Sequence, residues 1–349
     1  MQQQRPPGPA RSSGTSVRRR VGVVGAGGMA HEHLRAWAQL GTELHQFSTG
    51  SRGPATAARH RAVLHPDLDS LIAAVDIVDV CTPTPTHPQL VLAAAAAGRQ
   101  VICEKPIARD HRAAGSMIAA CAAAGVQLHV GQVLRYFPGY AAVRDAVAAG
   151  RLGRVRGLRL ERRVAVPAAG WFSDEEASGG VIVDLMIHDI DYARWVAGEV
   201  TAVRAGLTTG PDGTVTADAE LRHREGAVSL LTAAWDAPGR DLWTAMAVTG
   251  SAATVEHRSD SGGELRWSAP DGTVTAVEQL PAGPSPFVDQ FAEFLRAIDG
   301  GPQPRVGPTD ALAALDIALA ALESARTGLP VEPVAPSADD PEPPRTSTG

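Results

Sequence analysis

The sequence predicts an α/β chain in two parts: a doubly wound parallel sheet in the N-terminal half, then an antiparallel sheet with helices. Three observations predict it. A G-x-G-x-x-A turn, Gly25 to Ala30, stands between a short apolar run and a helical segment. Short apolar runs then alternate with helix-like segments as far as Val130, the signature of parallel strands with crossover helices. From about Arg154 the pattern changes to strand-like runs, most joined by short turns containing Gly, which suits antiparallel pairing.

The elements follow in order. Val21–Val24 reads as a buried strand, and His31 to about Leu40 as the helix after the glycine turn. Leu44–Ser48 reads as the second strand. Val75–Cys81 is an apolar run followed by a helix from about Pro88 to Ala97. Gln100–Cys103 precedes a helix near Arg109–Ala124, and Val126–Val130 is the last strand of this half. In the turn, Gly25 makes the tight bend, Gly27 lets backbone approach a pyrophosphate, and Ala30 lets helix and strand pack closely. Gly28 and Met29 complete the loop, where N–H groups at the helix start face phosphates. The context points to a dinucleotide; a purely structural glycine turn is the competing reading.

The second strand ends where an adenosine ribose sits in such folds, and an acid there would accept hydrogen bonds from a free 2′-OH. This chain offers Ser48-Thr-Gly-Ser51-Arg52-Gly, with no carboxylate. Ser51 and Arg52 can instead satisfy a 2′-phosphate through a hydroxyl and a cation. NADP(H) is therefore expected over NAD(H), against the alternative that Arg52 is a solvated loop residue.

Composition narrows the class. The chain has 349 residues, 44% apolar and 20% charged, enough for two domains with real cores. A net charge of −6 disfavours nucleic acid as a partner. No run of about 18 apolar residues occurs, so no membrane span is expected. Cys81, Cys103 and Cys121 form no close pair, which argues against a disulfide scaffold or structural zinc and for a reducing cytoplasm. Arg18-Arg19-Arg20 resembles a twin-arginine export signal, but no signal-type apolar region or cleavage site follows. Residues 1–17 and 333–349 read as disordered tails.

Candidate chemistry lies in two segments. Gly179-Gly-Val-Ile-Val-Asp184-Leu-Met-Ile-His188-Asp189-Ile-Asp191 reads as a mostly buried helix. Asp184 and His188, at i and i+4, then share a face. Burying two titratable groups is costly without partners, and a histidine suits proton transfer near neutral pH. A plain ion pair or a shared zinc ion are the alternatives, the latter disfavoured because no further ligands cluster with them. Glu104-Lys105-Pro106 follows a parallel strand and so lies at the carboxyl edge, where such sheets bind ligands. Lys105 can donate a hydrogen bond to a reacting oxygen, or be a surface lysine. The Lys105–Pro106 bond is expected to be cis, since the turn must aim Lys105 into the cleft.

Other candidates carry less. His31 and His33, at i and i+2, do not share a helix face, so packing or exposure is expected rather than a metal. Arg135 and Tyr136 follow the last parallel strand and either reach substrate or hold structure. Trp171, beside Phe172, either walls a pocket or fills core. The later strand-like runs are Val155–Val164, Val200–Thr208, Ala219–His223, Ala227–Trp235, Trp243–Thr249 and Thr254–His257. Phe287–Ile298 and Thr309–Thr327 read as amphipathic helices, with Gly328 as a stop. A sheet with one face left over by its helices suggests a homo-oligomer, a dimer or tetramer.

Together, Gly25-Ala-Gly-Gly-Met-Ala30, Thr82-Pro-Thr-Pro-Thr-His87, Glu104-Lys105-Pro106 and the Gly179–Asp191 segment resemble the Gfo/Idh/MocA oxidoreductases, over about residues 18 to 332. The resemblance implies a Rossmann domain, 18–135, and an α/β domain, 136–332, built on a large, open, mostly antiparallel sheet. It implies that Lys105, Asp184 and His188 meet at a nicotinamide, with Glu104 and the turn bearing Thr82, Pro83, Thr84 and His87 along the cofactor. The activity implied is hydride transfer between NAD(P) and a secondary alcohol or ketone of a sugar, inositol or sugar-nucleotide-like substrate, with no metal. The acid-free turn at Ser51 departs from the family pattern. A nucleotide-binding redox sensor and a metal-dependent hydrolase are the rival functions; a sensor needs no proton-transfer set.

Overall fold

The computed structural model describes residues 18–167, 170–236, 239–281 and 283–334. The expected tails lie outside the described residues, except for residues 333 and 334.

The first sheet holds β1 (Arg20–Val24), β2 (Glu43–Phe47), β3 (Val63–Leu64), β4 (Ile77–Val80), β5 (Gln100–Cys103) and β6 (Leu128–Val130). All pair in parallel, in the order β3-β2-β1-β4-β5-β6. The chain winds outward through β3 and returns to β4, so the strand order reverses between β1 and β4. Ligands bind at the carboxyl ends of strands at such a point. The connecting helices are α1 (Gly28–Gln39), α2 (Gly53–His60), α3 (Leu68–Ala74), α4 (His87–Ala96) and α5 (His111–Ala123); α6 (Pro138–Ala148) follows. Every residue of β4 is buried, because helices cover both faces. Asp67 and Asp110 cap α3 and α5, accepting from the N–H of Ser70 and Ala113, each at 2.8 Å.

The second sheet holds β7 (Val155–Ala165), β8 (Val200–Thr209), β9 (Val215–His223), β10 (Val228–Asp236), β11 (Trp243–Gly250), β12 (Thr254–Arg258), β13 (Glu264–Ser268) and β14 (Val274–Gln279). Its order is β14-β13-β12-β11-β7-β10-β9-β8. All neighbours are antiparallel except β7 and β10. That exception is geometric: β7 lies between β10 and β11, which run in opposite directions, so it must be parallel to one of them.

Between β7 and β8 come α7 (Glu175–Ser178), a π-helical stretch Val181–Met186, and α8 (Ile187–Ala197). The helix expected over 179–191 thus starts two residues later. Gly179 and Gly180 have φ of 82° and 65°, a left-handed turn that no helix continues through. The last helices are α9 (Pro286–Ile298) and α10 (Pro308–Thr327), closed by left-handed Gly328. Helix α9 packs back on α1, where Phe291 stacks on Trp37 at 4.3 Å between ring centroids. Helix α10 lies against β8 and α8.

Candidate active site at the carboxyl edge of the parallel sheet

Gly25, after β1, has φ of 126°, and a Cβ there would lie 2.6 Å from the Cys81 carbonyl oxygen. Only glycine makes this turn. The Gln46 side-chain amide holds it by donating to Gly25 O at 2.8 Å. Cβ atoms added at Gly27 or Gly28 would meet nothing within 4 Å. The start of α1 is therefore an open cradle, and Gly27 caps it with no side chain to occupy its N–H groups. Met29 is partly buried and Ala30 fully buried against the strand. This arrangement fits a dinucleotide pyrophosphate. At the end of β2, Ser51 and Arg52 are exposed at the entrance to α2.

Lys105 leaves the end of β5 in a turn whose Lys105–Pro106 peptide is cis, as the sequence suggested. Its Nζ donates to the backbone oxygen of Asp184 at 2.7 Å and to Asp184 Oδ1 at 3.1 Å. The lysine and the site segment, 79 residues apart in the chain, therefore meet directly. Asp184 lies in the π-helical stretch, and His188 in the first turn of α8. Among the described residues, His188 Nδ1 is buried with no hydrogen-bond partner. Burial, and then the positive charges of Lys105 and Arg162, hold the His188 pKa well below its ordinary value. The imidazole is neutral at physiological pH, ready to accept a proton. Arg162 is itself buried and paired with Asp189 through two bonds of 2.8 and 2.9 Å.

The remaining candidates separate. Thr82 is partly buried and Pro83 exposed, whereas Thr84 and His87 face inward. The His87 ring lies 2.9 Å from Thr82 O and 3.1 Å from Pro106 O, so it ties two turns together. Burial pushes its pKa down. Glu104, also expected at the cofactor, is buried behind Lys105, whose backbone N–H donates to Glu104 Oε2 at 3.0 Å.

Arg135, expected to reach substrate or hold structure, holds structure. It is 1% exposed, bonds Asp191 at 2.6 and 2.8 Å, and donates to Arg305 O at 2.6 Å. Tyr136 is buried under the Arg305 guanidinium, which lies 4.5 Å from its ring centroid. Trp171 packs on Phe172 at 4.0 Å. Phe172, with Gly179, Gly180, Ile182 and Trp235, lines a mainly apolar cavity of about 170 Å³ flanking the site segment. Lys105, Asp184 and His188 do not line that cavity.

Sequence reasoning missed Arg109 and the partners of His33. Arg109 donates to the carbonyls of Glu175 and Glu176 at 3.3 and 3.1 Å, and so clamps the segment leading to Asp184. His33 is fully buried between Asp79 and Glu104. A carboxylate in the middle of the apolar run Ile77–Val80 was the available signal.

The chain matches two family models. One, described as an oxidoreductase family with an NAD-binding Rossmann fold, covers residues 19–132; the other, a GFO/IDH/MocA C-terminal domain, covers residues 140–256. The chain is 33% identical over 272 residues to a 1,5-anhydro-D-fructose reductase of Ensifer adhaerens, covering 74% of this chain and 80% of the relative. It is 33% identical over 284 residues to the myo-inositol dehydrogenase Hyg17 of Streptomyces leeuwenhoekii, covering 74% and 81%. The crystal structure of GenD2, from gentamicin A biosynthesis and in complex with NAD, superposes with a TM-score of 0.81 at 26% identity, covering 93% of this chain and 99% of GenD2. With the glycine cradle, the Lys105 turn and the Asp184–His188 segment in their expected order, the chain belongs to the Gfo/Idh/MocA oxidoreductase family.

Proposed function

We propose that this protein is an NAD(P)-dependent dehydrogenase or reductase acting on a secondary alcohol or ketone of a sugar, inositol or sugar-nucleotide-like substrate. The observation that carries this reading is the meeting of Lys105 and Asp184 beside a neutral His188 whose Nδ1 has no hydrogen-bond partner among the described residues. A sensor that only binds nucleotide has no use for such an imidazole. Named relatives acting on an anhydro-sugar and on inositol support the substrate class.

Residues Gly25, Gly27, Gly28 and Met29 would hold the pyrophosphate, with the Thr82–Pro83 turn close to the same edge. A bound nicotinamide supplies the two-electron acceptor or donor. Lys105 donates a hydrogen bond to the reacting oxygen and stabilises negative charge that builds there. His188 accepts the hydroxyl proton in oxidation and returns it in reduction. Asp184 holds the Lys105 ammonium in place through Oδ1.

NADP(H) is the favoured dinucleotide, on the strength of Ser51 and Arg52 in an acid-free turn. We also place the enzyme in the cytoplasm as a homo-oligomer. Its cysteines are buried free thiols, and no described helix is long and apolar enough to cross a membrane. Light scattering tests the assembly; a monomer contradicts it.

The decisive experiment is turnover against a panel of inositols, sugars and sugar nucleotides with both dinucleotides. Turnover of at least one polyol is expected, with Arg52→Ala weakening NADP(H) about tenfold more than NAD(H), the loss of one cation from a phosphate. Equal losses, or wild-type preference for NAD(H), overturn the cofactor assignment. Nucleotide binding with no turnover of any alcohol overturns the enzymatic one.

A further inference from the structure

We infer that His33 is a positioning residue for Lys105, acting through Glu104. The inference rests on Lys105 as the group that meets substrate.

His33 projects from α1, the helix that begins in the dinucleotide loop, and its side chain is fully buried. Its Nδ1 lies 2.9 Å from Asp79 Oδ2, and its Nε2 lies 2.8 Å from Glu104 Oε1. Asp79 is fixed in turn, because it sits inside β4 and accepts the Trp37 indole N–H at 2.7 Å. Glu104 gives its second oxygen to the backbone N–H of Lys105. It is also packed against backbone: a Cβ at Gly131 would lie 2.8 Å from Glu104 Oε1. Phe291 meets the His33 ring edge-on, with centroids 4.7 Å apart, and shields it from water. One continuous chain therefore runs from Asp79 through His33 and Glu104 to the Lys105 backbone, and from Lys105 Nζ to Asp184.

The ring's charge state agrees with this geometry. Burial opposes the imidazolium, but the Asp79 charge, Cys81 and the hydrogen bonds outweigh it and hold the His33 pKa well above its ordinary value. A doubly protonated ring donates from both nitrogens and is pinned at both ends.

His33, Asp79 and Cys81 also stand close enough together to share a metal ion. Their spacing suits direct hydrogen bonds better. Nδ1 lies 2.9 Å from Asp79 and 3.1 Å from Cys81 Sγ, closer than about 3.4 Å for ligands around a tetrahedral zinc.

Two substitutions separate positioning from bulk stability. His33→Gln keeps a donor near the Nε2 position, facing Glu104. His33→Asn keeps one near Nδ1, facing Asp79, and loses the link to Glu104. Both remove the ring and should lower Tm. His33→Asn is expected to lower kcat about 10- to 100-fold with little change in nucleotide affinity, as a small misplacement of a reacting group does. His33→Gln should recover kcat to within about threefold of wild type. Hydrogen exchange at the Lys105 amide, which needs no turnover, should speed up in His33→Asn and not in His33→Gln. Glu104→Gln, which spares the His33–Asp79 pair, should reproduce the His33→Asn pattern if that variant does not fold. Equal kcat and equal Lys105 exchange in the two His33 variants would overturn the inference. Failure of the wild type to turn over any alcohol would sink the functional reading instead, and the exchange comparison would still decide whether His33 places Lys105.

Discussion

Arg135 and Lys105 both leave the carboxyl edge of the parallel sheet, and both reach a carboxylate on the same helical segment. Arg135 reaches Asp191 and Lys105 reaches Asp184. The two pairs differ in what is left over. Arg135 uses Nε and Nη2 on Asp191 and Nη1 on Arg305 O and Asp310, and it is buried to 1% exposure. Lys105 keeps contact with the cleft, and next to Asp184 stands His188, whose Nδ1 is buried without a partner among the described residues. A saturated charge network ties Arg135 to α8 and to the start of α10. An unsaturated one beside a glycine cradle leaves a place for a substrate oxygen and its proton.

The comparison breaks first at His188. His188→Ala should lower kcat by about 10²–10⁴, the usual worth of a positioned acid or base, with residual activity rising with pH as hydroxide replaces the base. Lys105→Ala should lower kcat by about 10²–10³, the loss of one donor to a charged oxygen, while nucleotide affinity measured by cofactor fluorescence stays near wild type. If both variants turn over at near wild-type rates with a competent substrate, the reacting set lies elsewhere.

The Arg135 network should fail in the opposite way. Arg135→Met alone leaves Asp191 buried and uncompensated and should cost about 3–5 kcal/mol of stability in denaturant melts. Paired with Asp191→Leu, much of that stability should return. Activity per folded molecule should hold in both, and a kcat loss in the stable double variant would place Arg135 in the chemistry after all.

The smallest effect is in the pH profile. Oxidation needs neutral His188, and its pKa is pushed well below 6.5 by burial, Lys105 and Arg162. Neutral base is therefore complete at 6.5 and is lost only as pH falls through the lowered value. The acid limb of kcat should lie below pH 6.5 and move upward when Arg162→Gln removes one of the charges that depress it. An acid limb above 6.5 in wild type contradicts the charge reading.

The sequence made the N-terminal sheet legible because its signals are local. Apolar strands alternate with helices, and Gly25 marks the bend. Helix α2, the two-residue β3 and the exposed β14 carry too little apolar pattern to be seen. The spacing of Asp184 and His188 put both in the site segment, but its π-helical form was not legible, because it depends on the left-handed pair Gly179–Gly180 before it and on Arg109 clamping the loop upstream. Arg135 could not be assigned from sequence because Asp191 is 56 residues away. Packing or exposure is all the sequence offers for His33, because its partners, Asp79 and Glu104, lie 46 and 71 residues further on.

Single-turnover reduction of NAD(P), measured at saturating nucleotide with one competent polyol, tests the central claim most directly. The rate should collapse in Lys105→Ala and His188→Ala and stay near wild type in Arg135→Met with Asp191→Leu. Hydride transfer that survives loss of Lys105 and His188, or that disappears with the Arg135–Asp191 pair in a stably folded protein, would contradict the account.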